Sequence, residues 1–302
     1  MTAAPQTSLA PTPVPRTTTV SGVCNGTLGE LFQGPVTHRG RPGIGLVSFP
    51  VDRYAWAHFS PGPDDDPSPE LAKAAAAVRL FCAHHGVRLP PGRWSRHSEL
   101  DVGVGMASST ADIVATLRCL FALFGLPYDA AAVRAVLTGI ERADSVFLDE
   151  FALYLSDRHE VVEPLGTRIG FHTCFVVEPG SIDTTAVTPL LLEHYRHRAD
   201  SYRRCLDGML AAFRRSDPVG VARAASTSAA LSQEVLPKAR YDAIVAHRRE
   251  FGADGVFVAH TGRVIGYLFT QRLGRRRMDE LSAFFHGLGH QCSFAWGGYG
   301  GA

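Results

Sequence analysis

The segment DVGVGMASSTAD at residues 101–112 stands at the start of the strongest helical pattern in the chain, Ser108 to Phe124. Its small residues let the backbone approach a ligand closely, and the free N–H groups at the start of a helix favour an anion. The segment therefore predicts a cradle for phosphate groups. We expect the residues that contact a bound nucleotide to be Gly103, Gly105, Met106, Ala107, Ser108, Ser109 and Thr110.

The same segment also fits an ordinary tight turn with a serine N-cap, and the glycines alone do not decide between the two interpretations. A Walker-type P-loop is excluded because no Gly-Lys-Ser or Gly-Lys-Thr follows. The dinucleotide-binding fingerprint is excluded because its third glycine is not in place.

Two carboxylates lie in the segment IERADSVF at residues 140–147. Glu141 and Asp144 are three residues apart and would share one face if the preceding helix extends that far. A pair of this kind suits magnesium-dependent phosphoryl transfer, since one carboxylate can ligate Mg²⁺ and the other can accept the proton of an attacking hydroxyl. Without further context, such a pair at a helix end is most often solvated surface.

The segment GVGMASSTAD resembles the second motif of the GHMP kinase superfamily, Pro-x-x-x-Gly-Leu-Gly-Ser-Ser-Ala at the head of a helix. Within that superfamily, Gly105 to Ile113 is most similar to the L-threonine kinases of cobalamin side-chain synthesis. A second block, GTLGELFQG at residues 26–34, is similar to the Cys-Gly-Glu-Leu-x-Gln-Gly first motif of those kinases. Many members carry a lysine in this first motif, whereas this chain has Asn25 and Gly26 there.

The resemblance implies ATP and Mg²⁺ as cofactors and gives roles to the motif residues. It implies that Ser109, with Ser108 as its rival, helps to hold Mg²⁺ together with Glu141, and that Asp144 is the catalytic acid that orients the substrate hydroxyl. The substrate contacts that it implies are Glu30, Gln33, Ser145, Asp183 in SIDTT at residues 181–185, and Gly262 in AHTGRVIG at residues 259–266. For Glu30 and Gln33 a capped strand-to-turn segment remains an equal alternative, and for Gly262 an ordinary hairpin turn.

Composition and pattern predict an α+β fold. The chain has 302 residues, of which 45% are hydrophobic and 20% charged, values typical of a globular protein. Strands and helices are mixed without a regular βαβ rhythm. The resemblance implies a GHMP kinase-like fold of two domains, at residues 21–168 and 169–302, with the active site in the cleft between them. Residues 1–20 are rich in Pro, Thr and Ala and predict a disordered leader.

Several elements follow from local patterns. We predict two strands around Pro50 within Gly43–Ser60, a helix over Asp129–Glu141, and one long helical stretch over Pro189–Arg215. The further predicted elements are helices over Glu70–His85, Pro218–Leu231, Leu236–Glu250 and Met278–Leu288, a strand over Gly170–Val177, and a hairpin of Val256–Ala259 with Val264–Thr270. The acidic residues 64–66 lie between prolines and indicate a surface turn more strongly than a metal site.

Charge and hydropathy exclude some classes of function. The net charge of +1 lacks the basic footprint of a dedicated nucleic-acid binder. The sequence has no apolar run of about 20 residues, the length that a membrane-spanning helix needs, and no export signal is recognisable. We therefore expect a cytoplasmic protein with six reduced cysteines. The oligomeric state is left open, with a homodimer among the arrangements considered.

The expected reaction is transfer of the γ-phosphoryl group of ATP to the side-chain hydroxyl of L-threonine, which gives O-phospho-L-threonine. One alternative is a kinase for another small hydroxylated metabolite, such as serine, because substrate pockets vary on one scaffold. Another alternative is a catalytically silent nucleotide-binding protein, to which the missing first-motif lysine points. The two carboxylates Glu141 and Asp144 argue for an enzyme.

Overall fold

The computed structural model describes residues 16–63, 68–180, 182 and 184–300. Most of the predicted leader and the acidic turn at residues 64–66 lie outside these ranges. The strands are β1 Val20–His38, β2 Arg41–Pro61, β3 Gly92–Ser98, β4 Phe151–Leu155, β5 Glu160–Gly166, β6 Gly170–Val177, β7 Gly255–Val258, β8 Val264–Phe269 and β9 Ser293–Gly298. The helices are α1 Ala72–His85, α2 Ser108–Leu123, α3 Ala130–Thr138, α4 Thr184–His197, α5 Ala199–Arg214, α6 Pro218–Gln233, α7 Tyr241–His247 and α8 Arg275–Gly287.

The strands of the described residues join in one sheet with the order β1-β7-β8-β6-β9-β2-β4-β5, and β3 pairs with β2. Strands β1 and β2 also pair with each other as a long antiparallel hairpin. Contacts from β1 to β7 and from β2 to β9 connect the first half of the chain with the second. The α+β class is therefore confirmed, and the division at residues 168 and 169 stays a prediction.

The helix α2 forms the centre of the larger core. Twelve of its sixteen residues are buried, including Ile113, Leu117 and Leu120. The helix packs so closely on β1 that a Cβ on Gly22 would lie 2.0 Å from the carbonyl oxygen of Ala115. This packing fixes the start of α2 relative to the sheet. It also fixes residues 101–112, which we call the glycine-rich segment.

The structure corrects several sequence predictions. Residues 43–60 form one bent strand within β2, and Pro50 lies where the pairing with β1 shifts register, a place that tolerates the missing N–H. The helix predicted over Asp129–Glu141 ends at Thr138, where the N–H of Gly139 turns back to Val136. The long stretch Pro189–Arg215 is divided at Arg198 into α4 and α5.

Five strands were not among the elements predicted from the sequence: β1, β3, β4, β5 and β9. All six cysteines are unpaired, and four of them are buried. Among the helices of the described residues, none combines the length and the apolar character needed to cross a membrane.

Candidate active site

The glycine-rich segment is held in place on two sides by backbone hydrogen bonds. From β1, the N–H of Gly29 donates to the carbonyl oxygen of Gly105 at 2.9 Å, and that of Thr27 to Met106 at 3.0 Å. From the β7–β8 turn, the N–H of Arg263 donates to Val104 at 2.7 Å. The first motif, the glycine-rich segment and the predicted hairpin thus meet, although they are far apart in sequence.

Two glycines make this meeting sterically feasible. A Cβ on Gly262 would lie 2.4 Å from the carbonyl oxygen of Val104 and 2.7 Å from the Cα of Gly105. Gly105 itself has φ +97°, and a Cβ there would lie 2.6 Å from that of Ala259. A side chain at either position would push the turn and the glycine-rich segment apart.

The start of α2 lacks a capping side chain. The N-cap residue Ala107 has a left-handed backbone with φ +53° and makes no side-chain hydrogen bond to the first turn. The initial N–H groups of a helix have no partner within the helix, so they are free here to bind an anion. A strained alanine at this position is typical of a ligand-binding turn.

The carboxylate of Glu141 lies beside this helix start. The hydroxyl of Ser109 donates to Glu141 Oε2 at 2.9 Å, and that of Thr110 approaches Oε1 at 3.3 Å. The ammonium of Lys73 donates to Ser109 Oγ at 3.1 Å and also contacts Glu141 Oε2. The other candidate serine, Ser108, is buried and makes none of these contacts.

These oxygens fit a magnesium ion. A hydroxyl and a carboxylate are hard donors, and Mg²⁺ at phosphate sites takes only one or two protein ligands. The ammonium of Lys73 already shows that Ser109 and Glu141 attract a cation at this point. Within the described residues, no group of three or more His, Cys, Asp or Glu side chains forms a site for a metal by itself.

Glu141 and Asp144 do not lie on a helix, which corrects the predicted shared helical face. Both belong to the irregular loop after α3, which ends at Thr138. They nevertheless line the same cavity of about 500 Å³. The other residues that line it are Glu30, Gln33, Ile44, Leu46, Lys73, Arg142, Ala143, Ser156, Thr188, Leu191 and Thr261.

Asp144 has the properties of a general base. The hydroxyl of Ser48 on β2 donates to Asp144 Oδ1 at 2.9 Å. Burial and the negative charge of Glu30 raise the pKa of Asp144 to about 7, against the lowering effect of the Ser48 hydrogen bond. A carboxylate with a pKa near the working pH is well suited to accept a proton and release it again.

Glu30 is part of a buried network that joins the first motif to the β7–β8 turn. Its Oε2 accepts a hydrogen bond of 2.9 Å from the N–H of His260 and lies 3.1 Å from His260 Nδ1. The other ring nitrogen of His260 lies 2.8 Å from the hydroxyl of Ser228, which accepts from the N–H of Gln33. The Gln33 amide donates to the hydroxyl of Tyr195 at 2.8 Å.

The remaining predicted contacts differ in their surroundings. Ser145 is buried next to Asp144 and is not among the residues that line the cavity. Gly262 contacts the glycine-rich segment, and its neighbour Thr261 lines the cavity. Asp183 lies outside the described residues.

Three site residues were not found from the sequence: Lys73, Ser48 and Arg142. Lys73 stands in the Ala-rich helix α1, where a lone lysine is typically a solvated residue. Ser48 reaches Asp144 across 96 residues of chain. Arg142 was the one with a local signal, since it stands between Glu141 and Asp144, and its guanidinium donates to Ser156 Oγ at 3.1 Å.

A second cavity, of about 300 Å³, lies between α1, α2, β2 and β3. The indole rings of Trp56 and Trp94 line it, together with Arg96 and with Asp112 and Thr116 from α2. Asp112 is one turn beyond Ser108, so the cavity lies close to the uncapped start of α2. Its aromatic lining suits a flat, partly apolar group.

Comparisons with known proteins give a family match and two relatives of known activity. Residues 70–155 match the family model of the GHMP kinase N-terminal domain. An L-threonine kinase from Citrobacter freundii is 28% identical over 261 residues, 85% of this chain and 87% of that protein. An L-threonine kinase from Salmonella typhimurium is 27% identical over 274 residues, 85% and 83% of the two chains.

The fold is shared with solved structures of much lower identity. The crystal structure of homoserine kinase from Cytophaga hutchinsonii superposes with a TM-score of 0.68 at 13% identity. The match covers 93% of this chain and 95% of that one. This likeness extends over both halves of the chain and is evidence for the fold.

Proposed function

We propose that this chain, which belongs to the GHMP kinase superfamily, is an ATP-dependent kinase that phosphorylates the side-chain hydroxyl of L-threonine. The observation that carries the proposal is that Glu141 and Asp144 line one cavity while the hydroxyl of Ser109 donates a hydrogen bond to Glu141. A cation site, an anion-binding helix start and a general base are the parts that phosphoryl transfer requires. The two relatives named as L-threonine kinases support the choice of acceptor.

The glycine-rich segment would bind the phosphates of the nucleotide. The uncapped N–H groups at the start of α2 would donate to phosphate oxygens. The ammonium of Lys73 would add a positive charge that the first motif lacks. The cavity lined by Trp56 and Trp94 would hold the nucleotide base by stacking.

Ser109 and Glu141 would hold Mg²⁺ against the phosphates. When bound, the ion supplies positive charge that offsets the charge developing on the transferred group. Lys73 would then interact with phosphate oxygens in place of its present contact with Glu141. The chain itself provides the hydroxyl and the carboxylate that fix this position.

Asp144 would act on the acceptor. The threonine Oγ–H would transfer its proton to the Asp144 carboxylate as the new Oγ–P bond forms and the bond from phosphorus to ADP breaks. Ser48 orients the carboxylate through Oδ1 and leaves Oδ2 for the proton. The products are O-phospho-L-threonine and ADP.

The cavity carries charges of both signs for a free amino acid. Oε1 of Glu30 has no hydrogen-bond partner among the described residues and would accept from the substrate ammonium. The guanidinium of Arg142 lines the same cavity and would bind the carboxylate. Gln33 would contribute a further polar contact.

The test is an acceptor panel with Mg-ATP and the full chain. L-threonine, L-serine, L-homoserine and 3-hydroxybutyrate would each be incubated with the enzyme, and ADP release and the phosphorylated product would be measured. We expect L-threonine to give the highest kcat/KM and Asp144→Asn to abolish the signal. If another acceptor were preferred, that compound and not L-threonine would be assigned as the substrate. If no acceptor caused ADP release, the result would support a catalytically silent nucleotide-binding protein.

A further inference from the structure

A pocket of about 380 Å³ lies between the β1–β2 turn, α3 and the β4–β5 turn. Its chemistry-bearing residues are His38, Arg39, Arg134, Arg158, His159 and Glu160, and these six define what we call the basic pocket. None of the residues that line it also lines the active-site cavity. The kinase reaction as proposed makes no use of the basic pocket.

The positive charge in the basic pocket is poorly matched by the protein. The guanidinium groups of Arg39 and Arg134 make no hydrogen bond or ion pair with any residue that the structure describes. Nε and Nη2 of Arg158 are buried without a hydrogen-bond partner in the described part of the chain, and Nε lies 3.6 Å from a Glu160 oxygen. Glu160 is also shared with Arg41, again at 3.6 Å. Glu160 is thus the one carboxylate among the residues that line the pocket, against the three arginines Arg39, Arg134 and Arg158.

The backbone holds two of the basic residues in sparsely populated conformations. Arg39 has φ +50° in the two-residue turn that closes the β1–β2 hairpin, where His38 pairs with Arg41. His159 has φ +53° in the β4–β5 turn, is buried, and bonds the hydroxyl of Tyr154 through Nδ1 at 2.9 Å. Left-handed residues other than glycine persist where surrounding structure imposes them, and they concentrate at ligand-binding sites.

We propose that the basic pocket binds a phosphate group, either as inorganic phosphate or as the head of a small phosphomonoester. A guanidinium presents parallel N–H donors that match two oxygens of a phosphate. With three guanidinium groups and one carboxylate, the lining of the pocket carries a net positive charge. A phosphate dianion neutralises this charge better than a ligand with a single carboxylate does. The volume leaves room for a few atoms beyond the phosphate itself.

The test must separate this site from the glycine-rich segment, which would also bind phosphate. We would saturate the full chain with Mg²⁺ and a non-hydrolysable ATP analogue, then titrate inorganic phosphate, glycerol 3-phosphate or acetate at constant ionic strength by calorimetry. We expect both phosphates to bind and acetate not to bind. Tighter binding of glycerol 3-phosphate than of inorganic phosphate would identify a phosphomonoester as the ligand. Equal or tighter binding of inorganic phosphate would identify the inorganic ion as the ligand.

Variants then locate the site. Arg134 is exposed on α3, so Arg134→Gln should fold normally and weaken phosphate binding at least roughly tenfold through loss of a charge-assisted contact. Arg158→Lys, which keeps the charge and loses the fork, should weaken it as well. Arg79→Gln, a matched exposed arginine on α1, should bind phosphate like the wild type.

The proposal is overturned if the nucleotide-saturated wild type binds no phosphate, or if Arg134→Gln and Arg158→Lys bind it with unchanged affinity. Tighter binding of acetate than of phosphate would overturn it too. None of these measurements uses turnover, so the result is independent of whether L-threonine is the acceptor in the active site.

Discussion

The hydroxyl of Ser109 donates a 2.9 Å hydrogen bond to Oε2 of Glu141, a residue 32 positions further along the chain. The first belongs to the glycine-rich segment and the second to the loop that carries Asp144. This bond connects the predicted phosphate cradle to the loop that carries the predicted base. It also favours Ser109 over its rival Ser108, which is buried and makes no hydrogen bond with Glu141.

Ser109→Ala and Glu141→Gln should each raise the Mg²⁺ concentration needed for half-maximal rate by about 10- to 100-fold. Each change removes an oxygen contact to a cation, worth roughly 1.5 to 3 kcal/mol. The measurement is the initial rate against free Mg²⁺ at saturating ATP. Ser108→Ala is the matched control and should leave the Mg²⁺ dependence unchanged, because Ser108 makes no contact with Glu141. If both variants turned over normally at low Mg²⁺, the metal assignment would be wrong.

Asp144→Asn should lower kcat by roughly 10²-fold or more, the range for a positioned general base, with little change in nucleotide affinity. Steady-state kinetics and binding of a fluorescent ATP analogue would measure the two quantities separately. Weak ATP binding with an undiminished kcat would instead identify Asp144 as a nucleotide contact.

The kcat of the wild type should rise with pH through about 7, because Asp144 must be ionised to accept a proton and its pKa is raised to about 7. The charges that face it are Glu30 and Glu141, which raise the pKa, and Arg142, which lowers it. Ser48→Ala removes a hydrogen bond to the ionised form, so the midpoint of the kcat profile should move to higher pH. A flat profile between pH 6 and pH 8 would contradict this role.

The same raised pKa affects stability. Between the ordinary pKa of an aspartate, about 4, and the raised value, the folded protein keeps a proton that the unfolded chain releases. Asp144 therefore destabilises the folded state increasingly as pH rises from about 4 to 7. Asp144→Asn removes this effect, so its Tm should exceed that of the wild type at pH 8 and equal it near pH 4, as calorimetry would show.

L-threonine should be used about 10- to 100-fold better than 3-hydroxybutyrate, which lacks the ammonium, because a charge-assisted contact to Glu30 is worth roughly 1.5 to 3 kcal/mol. Glu30→Ala should narrow the gap by raising KM for threonine. Glu30→Gln keeps an acceptor for the N–H of His260 but loses the negative charge. It should also reduce the preference for threonine over 3-hydroxybutyrate, which would show that the charge and not only the local structure is needed. Equal use of both acceptors by the wild type would refute amino-acid recognition.

Gly262→Ala should raise KM for ATP and lower the Tm. The added Cβ would meet the carbonyl oxygen of Val104 at 2.4 Å, and overpacking of this kind costs typically 1 to 3 kcal/mol. Gly208→Ala is the control, because no atom lies within 4 Å of a Cβ at that helical position. Alanine there should stabilise the helix by roughly 0.5 to 1 kcal/mol. Unchanged kinetics and stability in Gly262→Ala would show that the close approach is unimportant.

The sequence predicted the elements whose signals are local. Helix α2 was expected over Ser108 to Phe124 and is observed over Ser108–Leu123, because its apolar residues and the small residues before it form one continuous pattern. The strands β4 and β5 escaped prediction for the opposite reason. FALYL in β4 is short, buried throughout and apolar, so it shows no alternation from which a strand could be told from a helix.

The sequence predicted the residues of the candidate site that lie in motifs. It did not predict the residues that contact them from distant parts of the chain. Glu141 and Asp144 were singled out by the resemblance to the GHMP kinases together with their spacing, yet the helix that was to place them side by side ends at Thr138. Their common cavity arises from the loop and from contacts with Lys73 and Ser48, which are distant in sequence. Such contacts depend on how the sheet and α1 pack, and no local pattern records that packing.

The position of β9 has a consequence for how this protein is made. Among the strands of the described residues, β9 comes last along the chain, and it lies inside the sheet, paired with β6 on one side and with β2 on the other. Until β9 is synthesised, the edges of β6 and β2 that pair with it lack these hydrogen bonds. Exposed strand edges are prone to aggregation. A chain cut short before Ser293 would therefore keep every residue of the proposed catalytic site and still lack one of the two strand pairings that connect its halves.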